Sequence, residues 1–315
     1  MLRRKTAVKE DGPTWIFDPY KRYTLEDLGL RYDAVTDRIT LLDNPEEPYK
    51  YKMKQSDEDY NDQLWFALSR LLDDMTQERM TKIGMRLLRL PLGAAETDKH
   101  TRIYVSEDFD KKQELTLVFP DGGEMGSWYG RLITDKTIAN GSFEDFVKTF
   151  TKPERGIVIA SPTVCVWNKE LGRAITHRES MIASKKSPLG KIQGSETQQA
   201  HIEYVLDYVA RPSAAEQINL VAVGYSAWAA IHYIHACWPT WRDRLTAIAC
   251  FCTNHSVNEF TLPDFLDFLS ANCINFAASD KPLKTIVEDR RFGCMTQAWN
   301  SSKRFSKAEQ WNTRK

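Results

Sequence analysis

Short apolar runs separated by polar stretches fill the chain from residue 85 onward, and their spacing predicts alternating strands and helices. The runs predicted to be strands cover residues 85–90, 102–105, 114–119, 156–160, 218–223, 245–252 and 273–278. Helices are expected near residues 142–150, 196–209, 226–238, 262–271 and 295–300. Several strands are apolar at consecutive positions, which is typical of a sheet buried on both faces. The pattern therefore predicts an α/β domain with a mostly parallel sheet flanked by helices.

The first part of the chain predicts a small β-rich unit that precedes the main sheet. Period-two alternation over residues 37–42 and 49–53 indicates two short strands. Ser56 is expected to cap the helix that follows, which has acidic residues in its first turn. This helix carries a single apolar stripe, formed by Leu64, Leu68, Leu71, Leu72 and Met75. The stripe marks the face that we expect to be buried.

Less regular stretches set the predicted domain boundaries. Residues 1–24 are polar with scattered aromatic side chains, and we expect them to be only partly ordered. Residues 25–300 form the predicted domain, and residues 301–315 form a basic tail. Within the domain, residues 161–195 have little periodicity and are expected to be a surface insertion.

Composition narrows the classes of function. The 315 residues include 43 basic and 43 acidic side chains, and this zero formal charge makes direct nucleic-acid binding an unfavoured function. The six cysteines lie mostly in apolar segments, as free thiols do in a reduced compartment. No apolar signal stretch follows the N-terminal basic residues, and no apolar run is long enough to span a membrane. We therefore expect a protein that is located in the nucleus, the cytoplasm or both and is not secreted. We also expect it to bind no membrane and no cofactor.

The most specific candidate for a catalytic motif follows the fifth predicted strand. The chain continues there as Gly224-Tyr225-Ser226-Ala227-Trp228, and Gly-x-Ser between a strand and a helix is typical of the nucleophile elbow of an α/β-hydrolase. The elbow backbone is tight, so small residues are needed on both sides of the nucleophile. Gly224 meets this requirement, whereas Trp228 occupies the small position on the other side. Ser226 is therefore a candidate nucleophile in an incomplete motif.

The groups that would assist Ser226 are only partly present. Gly122 and Gly123, after the third predicted strand, either supply oxyanion-hole amides or form an ordinary turn, and both interpretations stay open. No carboxylate follows the sixth predicted strand, where the acid of a triad should lie. No histidine follows His255, so a triad in the usual chain order cannot be assembled. The alternative that remains is an active serine hydrolase, esterase-like, in which Ser226 pairs with His255.

One further group has a spacing close to that of metal ligands. His232, His235 and Cys237 share a predicted helix. No second cluster in the sequence completes a site, and the helix also carries Trp228, Ile231 and Ile234 beside these residues. We therefore expect no metal.

Several stretches occur in the same order as in a known family, over roughly residues 28–300. They cover residues 28–29, 104–108, 118–123, 131–133, 201–205, 218–223, 245–254 and 277–287, with Trp128 and Trp299. On this joint order the chain resembles the Argonaute-binding-protein-two (Arb-two) domain family, which is α/β-hydrolase-like. The family includes a fungal Argonaute-complex subunit, the C-terminal domain of fungal class II histone deacetylases and an animal cotranscriptional regulator. The resemblance implies partners in Argonaute or histone-deacetylase complexes and a role in small-RNA-linked heterochromatin assembly and gene silencing.

The resemblance also implies that the catalytic positions have changed. Hydrolase-like members carry His-Ser-Tyr-Gly-Gly at the elbow, and alignment on the tyrosine places Gly224 at the serine and Ser226 two residues later. It places Cys252 at the acid and puts the late histidine near Gly293 or Cys294, of which Cys294 is taken as the changed position. A thiol nucleophile at either cysteine would need a base, for which His255 is the single candidate. The implied protein is a pseudoenzyme, a hydrolase-like scaffold or adaptor with all three catalytic positions lost.

Overall fold

The computed structural model describes residues 16–18, 21–122, 126–128, 130–183 and 188–299. The strands are β1 (Leu30–Asp33), β2 (Arg38–Leu41), β3 (Met85–Leu90), β4 (Thr101–Ser106), β5 (Glu114–Phe119), β6 (Arg155–Ile159), β7 (Val166–Asn168), β8 (Arg173–Ile175), β9 (Leu189–Lys191), β10 (Gln217–Val223), β11 (Leu245–Phe251), β12 (Cys273–Ala278) and β13 (Met295–Trp299). The α-helices are α1 (Glu58–Lys82), α2 (Gly130–Asp135), α3 (Ile138–Gly141), α4 (Glu144–Phe150), α5 (His177–Ala183), α6 (Gln198–Tyr204), α7 (Gly224–Ala236), α8 (Trp238–Trp241) and α9 (Pro263–Asn272). A π-helical turn, Val205–Ala210, continues α6 directly.

Eight strands form the central sheet, in the order β13-β12-β11-β10-β5-β6-β4-β3. Strand β4 is antiparallel to both of its neighbours, and every other neighbouring pair is parallel. Counted from β3, the strands follow the order 1-2-4-3-5-6-7-8 with an antiparallel second strand, as in an α/β-hydrolase. The predicted fold class, a mostly parallel sheet flanked by helices, is confirmed.

Two apolar clusters cover the two faces of this sheet. On β10, Leu220 and Ala222 belong to one cluster and Val221 to the other, because successive side chains on a strand point to opposite faces. The first cluster includes Ile231 of α7, and the second includes Phe146 of α4. Burial from both sides is the reason that β10 is apolar at consecutive positions.

The predicted strands of the sheet agree with β3–β6 and β10–β12, with ends that differ by no more than one residue. The helix predicted at residues 295–300 was wrong, because this segment forms the edge strand β13. Ala278 of β12 pairs with Trp299 in the parallel register, and the Trp299 side chain is buried against Phe276 and Ala249. The backbone thus completes its hydrogen bonds with β12 instead of within a helical turn.

The N-terminal part contains a β-hairpin of β1 and β2, followed by α1. The strand predicted at residues 49–53 was wrong, since the nearest pairing is an isolated bridge between Thr40 and Pro48. The helix cap is Asp57, whose side chain accepts from the Tyr60 amide, and the assignment of Ser56 as cap was wrong by one position. The predicted stripe on α1 faces an apolar cluster, with Leu64, Leu68 and Leu72 buried and Leu71 and Met75 partly buried.

Residues 161–195 form more regular structure than their sequence suggests. Strands β7, β8 and β9 make a small antiparallel sheet in the order β8-β7-β9, and α5 lies between β8 and β9. Trp167, Ile175 and Ile192 are buried. Strands of three residues are too short to produce a periodic signal. The segment is therefore folded instead of irregular, and its status as an insertion stays a prediction.

The predicted chain ends fall mostly beyond the described part. Residues 1–15 and the basic tail at residues 301–315 lie outside the described residues. None of the described helices combines the length and the apolar character needed to cross a bilayer.

Candidate functional site

The candidate site lies at the carboxyl ends of β5, β10 and β11. One part of it is the junction between β10 and α7. Strand β10 ends at Val223 and α7 begins at Gly224, whose φ of +51° lies in the left-handed region that favours glycine. A Cβ atom on Gly224 would overlap Oδ2 of Asp121 and lie 2.7 Å from its Cγ. The junction has the sharp turn of an elbow, but the space for a side chain at its strained residue is filled by Asp121.

Ser226 lies in the first turn of α7 and is fully buried. Its Oγ donates to the carbonyl oxygen of Pro120 at 2.6 Å and accepts from Nε2 of Gln198 at 2.9 Å. The Gln198 nitrogen also donates to Oδ1 of Asp121 at 2.7 Å. A nucleophilic serine needs a base as the acceptor of its proton, and here the acceptor is a backbone carbonyl. Ser226 therefore links α7 to α6 and to the turn after β5.

His255 follows β11 and both of its ring nitrogens are engaged. Nε2 donates to the carbonyl oxygen of Phe292 at 2.9 Å, and Nδ1 accepts from the Thr253 hydroxyl at 2.9 Å. Burial lowers the pKa of His255, which favours the neutral ring. The hydrogen bonds of Ser226 go to other partners, so the structure does not bring this serine and this histidine together as nucleophile and base.

The glycine turn after β5 is only partly described. Gly122 is half-buried directly after Asp121, and Gly123 lies outside the described residues. Whether the backbone amides of this turn converge on a substrate oxygen therefore stays a prediction.

The two cysteines at the other aligned positions differ in their surroundings. Cys252 is exposed, has a φ of +52°, and donates its amide to the carbonyl oxygen of Phe276 at 2.8 Å. Cys294 is half-buried, and its hydrogen bond with Cys273, together with burial, raises the pKa of its thiol. A raised pKa keeps a thiol protonated and makes it a poor nucleophile at neutral pH.

The residues at metal-ligand spacing make other contacts. Nε2 of His232 lies 3.3 Å from Oε2 of Glu259, and Nε2 of His235 accepts from the Thr261 amide at 3.3 Å. The ring of Phe260 packs against both histidines, with centroids 5.0 Å apart in each case. Within the described part of the chain, no group of three or more His, Cys, Asp or Glu side chains is placed to hold a metal ion.

Two residues of the site network, Asp121 and Gln198, were missed by the sequence reasoning. Asp121 could have been identified from its position in the sequence, because it lies two residues after the end of β5. Strand β5 pairs with β10, so the two strands end side by side. Gln198 could not have been identified in this way, since it lies at the start of α6, 28 residues before Ser226 in the chain. Only the packing of α6 against α7 brings its amide to the serine.

Comparison with solved structures gives matches of low sequence identity and low TM-score. A histone deacetylase from Saccharomyces cerevisiae is 12% identical with a TM-score of 0.43, and the match covers 74% of this chain and 88% of that one. The histone deacetylase Clr3 is 12% identical with a TM-score of 0.39, and covers 73% of this chain and 34% of that one. An esterase, E25, is 10% identical with a TM-score of 0.32, and covers 69% of this chain and 68% of that one.

Sequence comparison gives the family. A cotranscriptional regulator ARB2A homolog from Gallus gallus is 23% identical over 285 residues, covering 79% of this chain and 68% of the relative. Cotranscriptional regulator ARB2A from Homo sapiens is 21% identical over 285 residues, covering 79% and 68%. A family model described as the Arb2 domain matches residues 22–283. The resemblance seen in the sequence is confirmed, and the chain belongs to the Arb2 domain family.

Proposed function

We propose that this protein is a non-catalytic, hydrolase-fold scaffold or adaptor that acts in Argonaute-linked or deacetylase-linked gene silencing. The observation that carries the non-catalytic part is the junction of β10 and α7, where Gly224 has a φ of +51° and Asp121 fills the space of its missing side chain. A nucleophile would have to occupy this strained position to be presented to a substrate.

The surroundings of Ser226 support the same conclusion. The side chain is fully buried, and its proton is donated to the Pro120 carbonyl. The aligned acid and histidine positions hold Cys252 and Cys294, and the raised pKa of Cys294 disfavours a thiolate there. Loss of one group alone would leave a modified enzyme, whereas replacement of all three leaves no nucleophile with an assisting base.

The regulatory part of the proposal comes from the relatives. Those from Gallus gallus and Homo sapiens are named cotranscriptional regulators. Zero net charge favours protein partners over direct binding of nucleic acid. We therefore propose partners among the subunits of Argonaute or histone-deacetylase complexes, in the nucleus or in both nucleus and cytoplasm.

The catalytic part is tested with a fluorophosphonate probe, which labels activated serines. We expect no labelling of the wild-type protein under conditions in which an active esterase is labelled fully. Labelling of the wild type that is lost in Ser226→Ala would overturn the proposal and favour a serine hydrolase.

The partner part is tested by affinity purification from cells of the source organism. We expect the wild type and Ser226→Ala to recover the same Argonaute-complex or deacetylase-complex subunits, because recruitment needs no reaction at the serine. Recovery of abundant cytosolic proteins alone would count against an adaptor role.

A further inference from the structure

A second region of the molecule has the character of a ligand site. A cavity of about 620 Å³ lies between α1, the segment at residues 21–23, β4 and the hairpin of β7 and β8. A smaller recess of about 120 Å³ lies beside it, and Glu96, Arg102 and Arg173 line both. The larger volume is within the range of small-molecule sites.

The cavity has an excess of positive charge. Its basic lining residues are Lys21, Arg22, Arg70, Arg102 and Arg173. Its two carboxylates are already paired, Asp74 with Arg22 at 3.2 Å and Glu96 with Arg89 at 3.5 Å. Arg173 is held by two carboxylates outside the larger cavity, those of Asp73 at 3.5 Å and Glu179 at 3.3 Å.

Arg102 and Lys21 line the cavity without an ion pair among the described residues, although the charge of Lys21 attracts that of Asp27. The guanidinium of Arg102 forms no hydrogen bond or ion pair with any of the described residues, and the ammonium of Lys21 forms no ion pair with them. Nζ of Lys21 lies over the ring of Tyr23, 4.8 Å from its centroid. Both cations are therefore available to an anion that enters the cavity.

Arg70 lies in an environment that disfavours its own charge. Burial lowers the pKa of Arg70 and the positive charge of Arg173 lowers it further, and these effects outweigh the attraction of Glu179 and Asp74. An anion that enters the cavity would add to the stabilisation that Glu179 and Asp74 give to these two guanidinium groups.

We propose that this cavity binds a small phosphorylated molecule, with Arg102, Arg70 and Lys21 as the cations that contact its phosphate. Cations that line one cavity from a strand, a helix and a loop suit an anion with several oxygens and more than one negative charge. Few apolar side chains line the cavity, namely Ala67, Leu71 and Leu171, so a ligand with a long hydrocarbon chain fits poorly. The inference is independent of the scaffold role.

The test is isothermal titration calorimetry of the full chain at low ionic strength, with AMP and with inorganic pyrophosphate as probes. We expect saturable binding of at least one probe that Arg102→Gln weakens by about tenfold or more, since charge-assisted hydrogen bonds are lost. Arg242→Gln is the matched control, because Arg242 is an exposed arginine outside the cavity whose partner is the neighbouring Asp243, at 3.7 Å. This control should bind as the wild type does.

Three results would overturn the proposal. These are no heat with either probe at millimolar concentration, equal affinities in Arg102→Gln and Arg242→Gln, and binding of a single-stranded RNA oligonucleotide that neither small probe displaces. Circular dichroism shows whether Arg102→Gln is folded, and Arg70→Gln provides a second variant if it is not. Weakened binding in Arg70→Gln would then support the site, and unchanged binding would contradict it.

Discussion

At the scale of single residues, hydrogen bonds and dihedral angles decide what a motif can do. Ser226 fits the sequence form of a nucleophile, yet its hydroxyl is buried and donates to a backbone carbonyl. Gly224 has no side chain to suggest a role, yet it is the residue with positive φ at the junction of strand and helix. The chemistry of the site therefore depends on Gly224 and on Asp121, which occupies the adjacent space.

A comparison of two glycines tests this packing. Gly224→Ala should lower the free energy of unfolding by about 3 kcal/mol, because it adds both backbone strain and overlap with Asp121. Gly172→Ala has a similar φ of +58° with open space around it, and should cost only about 1 kcal/mol. Urea denaturation of each variant measures both values.

The double variant Asp121→Ala with Gly224→Ala is the check on the cause. It should be more stable than the sum of the two single losses predicts, since the overlapping carboxylate is gone. Additive losses would mean that Asp121 is not what excludes a side chain at Gly224.

At the scale of elements, the structure assigns roles that periodicity could not. Met295–Trp299 contains helix-forming residues but forms the edge strand β13, because pairing with β12 outweighs a weak local preference. The segments that flank the small sheet of β7, β8 and β9 on either side are connected to α6 by a buried histidine. Nε2 of His201 accepts from the Ser161 amide at 3.2 Å, and Nδ1 donates to the Ser195 hydroxyl at 3.0 Å. This arrangement requires a neutral ring.

This contact predicts a sensitivity to acid. Burial lowers the pKa of His201 to about 3, while an unfolded chain takes up the proton near the ordinary value of 6.5. The contribution of neutral His201 to the free energy of unfolding should therefore be fully present above pH 6.5. It should fall as the pH drops towards 3, because the unfolded state binds more protons than the folded state in this range. Between about pH 7.5 and 5.0 the wild type should lose about 2 kcal/mol more than His201→Gln.

Urea denaturation at the two pH values measures this difference. The exposed His177 provides the control, and His177→Gln should lose as much stability as the wild type between these pH values. Equal losses in the wild type and His201→Gln would show that the ring is not held neutral.

At the scale of the whole molecule, the N-terminal part is joined to the main domain by a partly buried arginine. Nη2 of Arg79, near the end of α1, bonds to Asp37 in the β1–β2 turn and to the Tyr32 hydroxyl at 2.6 Å. Nη1 bonds to Glu144 of α4 at 3.2 Å. Burial raises the pKa of Asp37, but the hydrogen bonds from Arg79, the Ala139 amide and Tyr32 outweigh this and lower it.

Removal of this arginine should therefore weaken the whole fold. Arg79→Ala leaves the partly buried carboxylate of Asp37 without its cation and removes one of the two cations of Glu144, which keeps Lys148, and it should lower the free energy of unfolding by about 2 kcal/mol. Lys82→Ala removes an exposed ion pair with Glu78 on the same helix, and should lower stability much less than Arg79→Ala does. Chemical denaturation compares the two, and losses of similar size would contradict the linking role of Arg79.

The sequence by itself determined the sheet and its helices, because long apolar runs such as β10 and β11 record burial on both faces. It also determined the family and raised the question of a lost nucleophile at Gly224. Tertiary structure alone decided the partners of Ser226, the role of Asp121 and Gln198, and the edge strand β13. Those features depend on contacts between residues far apart in the chain, such as the 106 residues from Pro120 to Ser226, and local periodicity carries no record of such contacts.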